Sequence, residues 1–194
     1  MHRSTESSYN TNRGANYYFG GLLLILSGLL EFFLGNTFPS VVFFGYGAHF
    51  LTYATTFQPF YAAISSYTTD GSQTLTPGFA SSFAFYAVFM AVLSFIFLVC
   101  SLRTNVVFVL IFIAATLGFA LAAAAFWATA AGMAVGAKLL VATGGAFFAA
   151  AMFGWYLLAV IMMASVDLPS FLPVGDLSTM ITGASQRAAA KKEE

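Results

Sequence analysis

Apolar residues gather into five long stretches, separated by short polar breaks and by one extended segment rich in Ser, Thr and Gly. A helix needs roughly 20 apolar residues to cross the hydrocarbon core of a bilayer, and the stretches near 17–34, 38–57, 79–102, 106–127 and 138–164 approach or exceed that length. The pattern predicts an all-α integral membrane protein, a bundle of five transmembrane helices over 17–164. It is flanked by a polar N-terminal tail at 1–16 and a polar C-terminal tail at 165–194, the latter read as a loop followed by a short helix or a disordered end. Tyr17 and Tyr18 stand where they would anchor the first span at an interface. Gly35 and Asn36 break the first span from the second, and Asn36 or Thr37 is placed to cap the second helix. The links at 103–105 and 128–137 are short enough to hold neighbouring helices antiparallel. The segment 58–78 is the one long loop, read either as a connector or as a cover over one mouth of the bundle.

Composition identifies the solvent. The 194 residues are 60% hydrophobic, 18% aromatic and 7% charged, with mean hydropathy +0.86, whereas a soluble domain carries about 25% charged residues. So few charges cannot cover a water-facing surface, and lipid must surround most of the chain. Seven basic residues balance seven acidic ones and no basic run exceeds Lys191-Lys192, which leaves no electrostatic footprint for nucleic acid. Cys100 is the single cysteine, so the chain offers neither an intrachain disulfide nor a thiolate metal site. No Gly-rich phosphate loop, H-E-x-x-H element, Ser-His-Asp pattern or cofactor box is present, and an enzyme reading has no catalytic or metal-binding residues to stand on.

Within this apolar background a few side chains are conspicuous. Glu31 is the only formally charged residue between Tyr17 and Phe38, and a carboxylate at membrane depth costs several kcal/mol unless protein or water shelters it. At 100° per residue Gly20, Gly21, Gly28, Glu31 and Gly35 share about a third of the first helix, opposite Leu22, Leu23, Leu26, Leu29, Leu30 and Phe33. Small residues let backbones approach, so the glycine face is expected toward protein and the leucine face toward lipid. Glu31 then looks inward, either touching a permeating species or hydrogen-bonding the start of the next helix. In the second span Tyr46, His49, Tyr53 and Thr56 follow at spacings of three, four and three, with Thr52 alongside. Such a hydroxyl and imidazole stripe lines a wet path for a small anion or its protonated acid, or serves interhelical packing; the spacing leaves both readings open. His49 is the residue there whose ordinary pKa suits proton relay. The small-residue runs from Ala114 and from Thr143 read as close helix packing, and Trp127, Trp155 and Tyr156 as interface-belt residues. Orientation stays open, because Arg3, Arg13 and Lys138 fall on one side and Arg103, Arg187, Lys191 and Lys192 on the other, with the tail charges far from the last span.

The segment from Gly20 to Phe50 carries a glycine pair (Gly20-Gly21), an S-G-x-x-E element (Ser27, Gly28, Glu31), G-N-T-F at Gly35 to Phe38, and a Y-G aromatic element (Tyr46, Gly47, Phe50). In this order and spacing it resembles the acetate uptake transporter family, also called succinate-acetate permeases. The similarity continues more weakly through the third to fifth spans, and the tail LPVGDLST from Leu172 looks like that of fungal members. The resemblance implies a six-helix protomer, usually hexameric, each protomer with its own pore for acetate and related monocarboxylates or succinate, often coupled to protons. It implies no cofactor, a plasma-membrane location, and a narrowing at which Tyr46 matches the family tyrosine and Ala115 the position of an aliphatic residue. The pore-lining candidates are therefore Glu31, Asn36, Thr37, Tyr46, His49, Phe50, Tyr53 and Ala115. The family begins with a helix carrying N-P-x-P-L-G-L, and the sixteen residues before Tyr17 contain neither that motif nor an apolar span, so the match runs from the family's second helix onward. That departure keeps two alternatives in view: an inactive or regulatory subunit assembling with full-length relatives, and an ammonium exporter of the kind ascribed to fungal relatives. Lys191-Lys192 near the C-terminus also resembles a dilysine retrieval signal, which would place the protein in the early secretory pathway.

Overall fold

The computed structural model describes residues 13–169 and 171–193, with the side chains of 189–191 and 193 outside that description. Most of the expected N-terminal tail and the side chain of Lys191 in the dilysine pair therefore lie outside the described residues. The described chain is all-α. Its helices are α1 (Arg13–Phe33), α2 (Thr37–Thr56), α3 (Pro77–Ser101), α4 (Val106–Ala130), α5 (Val135–Ser165) and the short α6 (Ala184–Glu193). Four of them, α1, α3, α4 and α5, are long and apolar enough to cross a membrane by length and composition. α2 has the length, at 20 residues, but falls short in apolarity because Thr37, Ser40, Tyr46, His49, Thr52, Tyr53, Thr55 and Thr56 all lie in it. Helix α1 starts four residues before Tyr17, and α4 and α5 each run past their expected ends, to Ala130 and back to Val135. The small, weakly polar residues at those ends carry no stop signal that hydropathy can read.

The chain forms two compact units, divided after Phe79. In the first, α1 and α2 make a hairpin. Gly35 ends α1 with φ +80°, its N–H donating to Phe32 O at 3.1 Å while the Asn36 N–H donates to Glu31 O at 2.9 Å. This is the Schellman ending that glycine permits at left-handed φ. The glycines of α1 then face α2 directly. A side chain at Gly20 would meet the Phe50 ring, one at Gly21 the Leu51 side chain, and one at Gly28 the backbone, 3.1 Å from Ser40 O and 3.2 Å from Phe44 N. Gly47 returns the contact from α2, against Ile25. The buried Ser40 hydroxyl donates to Gly28 O at 2.8 Å, a bond available only because the helices approach so closely. Leu22, Leu23, Leu26, Leu29, Leu30 and Phe33 are all exposed on the other side of α1. Within α1, residues Asn16–Leu23 wind as a π-helix, and the far end of the hairpin is tied by Arg13 Nη1 donating to Gln58 Oε1 at 3.2 Å. The loop beyond α2 holds itself with short-range bonds: Thr68 Oγ1 donates to Ser65 O and Ser72 O, and Ser72 N–H donates to Asp70 Oδ1 at 3.0 Å. That donor holds the Asp70 carboxyl below its ordinary pKa.

In the second unit α4 packs against α5 through Gly118, where an added side chain would meet the Phe147 ring at 2.7 Å, and through Phe119 against Phe147 at 4.9 Å between centroids. On its other side α4 meets α3, with Ala87 against Ala122 and Ala123 and Phe97 against Phe112 at 5.7 Å. Asn105 caps α4, its side chain accepting from Phe108 N–H at 2.9 Å. The C-terminal tail, which composition leaves undecided, returns to this link as a strap. Val106 N–H donates to Gly175 O at 2.8 Å, Leu177 N–H to Thr104 O at 2.9 Å, and the Tyr156 hydroxyl to Pro173 O at 2.8 Å. Gly175, at φ +67°, lies against Val106, where a Cβ would come within 2.7 Å.

Two predictions follow from this packing. Gly28→Val drives methyl groups into backbone that cannot yield, an overpacking cost of about 1–3 kcal/mol; thermal unfolding in detergent should show it, while Leu30→Ala on the exposed face leaves the transition almost unmoved. The Asp176 carboxyl is held below its ordinary pKa by the Ser178 N–H, which donates to Asp176 Oδ1 at 2.8 Å. Its contribution to the strap is present above the ordinary carboxylate pKa and lost as pH falls through the depressed value. Protection of the Ser178 amide, compared with that of the Leu177 amide by hydrogen exchange, should therefore drop only at acid pH.

Candidate functional site

The expected polar positions fall into two groups. At the hairpin turn, Asn36 Nδ2 donates to Glu31 Oε2 at 2.7 Å. The expectation that Asn36 or Thr37 caps α2 through its side chain needs correcting: Asn36 occupies the N-cap position but makes no side-chain cap bond, because its amide is committed to the carboxylate. A charged acceptor makes the stronger bond. Asn36 and Thr37 are exposed and Glu31 half-buried, so the carboxylate fastens the turn rather than standing alone in apolar surroundings.

The second group sits farther along α2. From Thr37 to His49 is about 18 Å at 1.5 Å per residue, so the Glu31 pair and the imidazole do not share one cluster. Tyr46, His49, Phe50 and Tyr53 are all half-buried. The His49 ring lies 5.4 Å from that of Phe50 and 6.1 Å from that of Tyr53; Tyr53 meets Phe57 at 4.8 Å. The series goes on through Phe79, 6.3 Å from Phe57, to Tyr67 of the loop, 5.8 Å from Phe79. Phe57, Phe79 and Tyr67 extend the expected stripe, and sequence reading missed them because Phe79 and Tyr67 come from other segments. Phe50 has a second duty, its ring filling the space that Gly20 leaves open. Thr56 drops out of the stripe chemically, since its hydroxyl donates to Thr52 O at 2.7 Å within the same helix.

Ala115 belongs to the second unit, buried in α4 among Ala114, Gly118 and Phe119. Its neighbour Thr116 has an oxygen shut off from solvent with no hydrogen-bond partner among the described residues. The only sequence signal for it was a hydroxyl inside a run of small apolar residues. No group of three or more His, Cys, Asp or Glu residues suited to a metal exists among the described residues.

The turn makes a sharp prediction. Glu31→Gln keeps an acceptor for Asn36 but loses its charge and should cost less than Asn36→Ala, which removes the donor and costs about 1 kcal/mol; denaturation of the two variants in the same detergent distinguishes them.

Four long apolar helices and a fifth, more polar one define an all-α integral membrane protein. The chain belongs to the GPR1/FUN34/yaaH family, whose sequence profile matches residues 4–178. It is 44% identical over 170 residues to protein alcS of Aspergillus fumigatus, which covers 85% of this chain and 62% of that protein. It is 30% identical over 105 residues to acetate permease A of Emericella nidulans, covering 53% and 34% of the two chains. The chain thus spans less than two thirds of the length of these curated relatives. The fold is similar to that of the bacterial acetate channel SatP, with TM-score 0.64 at 21% identity, over 84% of this chain and 81% of that one.

Proposed function

We propose that this protein is a membrane transporter or channel for acetate and related small carboxylates. Its route runs along the half-buried stripe Tyr46, His49, Phe50 and Tyr53 of α2. The observation that carries the reading is the coincidence of two facts: the family includes a protein named as an acetate permease, and the one long helix too polar to qualify as a span by apolarity alone presents a contiguous run of aromatic and imidazole rings. A small anion crossing such a surface would meet imidazole and phenol edges beside aromatic rings, a lining that holds it without a deep trap. Glu31 with Asn36 supports this route by fixing the turn that carries α2, and Thr37 stands at the helix start beside them. Ala115 enters the proposal by family resemblance alone, as the position of an aliphatic residue of the narrowing. Transport is coupled to protons if the weak acid crosses with its proton or if a side chain of the route titrates during transport. A homo-oligomer, a hexamer by family resemblance, in the plasma membrane completes the reading.

Labelled acetate uptake into proteoliposomes tests it. Tyr46→Ala should lower the rate about ten-fold, equivalent to roughly 1.4 kcal/mol of barrier, with assembly on size exclusion unchanged. Normal uptake by Tyr46→Ala and by His49→Gln removes the stripe from the route. Replacing acetate with ammonium at fixed pH separates an ammonium exporter from a carboxylate carrier. Co-purification with a longer relative, combined with no uptake by the chain alone, would instead establish a regulatory subunit.

A further inference from the structure

The C-terminal strap gathers positive charge at one end of the second unit. Arg103 lies just past the end of α3, in the link between two 25-residue apolar helices, and therefore at membrane-surface depth. The strap brings residues 175–183 back to this point. Arg103 Nη2 donates to Ser178 O at 3.4 Å, and the guanidinium lies against Gly183, whose added Cβ would be 2.7 Å from Nη1. Helix α6 starts at the next residue and carries Arg187, Lys191 and Lys192. Arg187 Nε donates to Thr182 O at 3.2 Å. Both guanidinium groups thus bond to neutral carbonyls, and among the described residues no acid is paired with either. Asp176, the acid closest in sequence to them within the strap, is turned to the Ser178 N–H.

We infer that this end of the protein is a binding surface for the anionic phosphate headgroups of the leaflet it borders, with α6 held against the bilayer. A tail tethered only at Ser165 would spend much of its time beyond the Debye length of about 8–10 Å, where lipid charge is screened. The strap keeps Arg103 and the start of α6 inside that distance. Each cation near an anionic surface contributes about 1 kcal/mol, or roughly five-fold in the bound-to-free ratio. The geometry favours lipid over a free anion because the cations are spread between the α3–α4 link and α6, rather than converging on one enclosed point.

The test uses the full chain carrying Cys100→Ser and Ala188→Cys, with an environment-sensitive fluorophore on residue 188, reconstituted into vesicles of phosphatidylcholine alone or mixed with phosphatidylserine. The label should be shielded from aqueous iodide in the mixed vesicles and open to it in the neutral ones, with shielding lost at high salt. Arg187→Gln and Lys192→Gln, which leave the backbone bonds between the strap and residues 104 and 106 in place, should each lower the shielded-to-open ratio about five-fold. Equal quenching in both vesicles, or unchanged shielding in the double variant, overturns the inference. So does inorganic phosphate added to neutral vesicles if it shields the label as well as phosphatidylserine does, because the site would then hold a free anion.

Discussion

The close approach of α1 and α2 is the contact on which the rest of the first unit depends. Glycine at 20, 21, 28 and 47 removes the side chains that would hold the two backbones apart, and the Ser40 hydroxyl converts that approach into a buried bond to Gly28 O. In lipid the hydrophobic effect gives little drive to helix association, so shape and buried polar bonds must supply it. Because the glycine face is spent on α2, the leucine face is left outward, and the stripe of α2 takes its orientation from the same contact. The π-helical start of α1 belongs to this arrangement, since it holds Gly20 and Gly21 opposite Phe50 and Leu51.

Hydroxyl groups in the helices divide by what they bond. Ser27, Thr55, Thr56, Ser94, Ser101 and Thr143 each donate to a carbonyl three or four residues earlier. Such a bond hides the donor at little cost and says nothing about a water-filled route. The Glu31–Asn36 bond is a different case, a side-chain pair that fastens the turn between α1 and α2.

Much of this was legible in the residues. Glycine and leucine sort onto opposite sides of α1 at 100° per residue, and the two faces remain distinct in the structure even though Asn16–Leu23 wind as a π-helix. The turn was legible in Gly35, whose positive φ excludes most side chains. The role of Asn36 was not, because an asparagine before a helix can bond the backbone ahead or a carboxylate behind, and only the positions of both settle the choice. Asn105 makes the ordinary cap even though Asp176 pairs across from it, the Asp176 carboxylate accepting from the Ser178 N–H instead. The strap was invisible for another reason: it joins residues 104–106 to residues 175–177, about seventy positions apart, through backbone groups whose pairing leaves no side-chain pattern. Tyr67 and Phe79 escaped notice in the same way, since their ring contact joins a loop to the first turn of α3.

The central claim is that the half-buried rings of α2 border the path of a small carboxylate, and chemical accessibility reports on it most directly. In a Cys100→Ser background, single cysteines replace Tyr46, His49 or Tyr53 in turn, with exposed Ala48 and Val41 as controls, and a water-soluble thiol reagent is applied to reconstituted protein with and without acetate. The account predicts that the three stripe positions react and that acetate slows each of them, while the controls show no acetate effect. Stripe positions that stay unreactive, or react at rates indifferent to acetate, would contradict it.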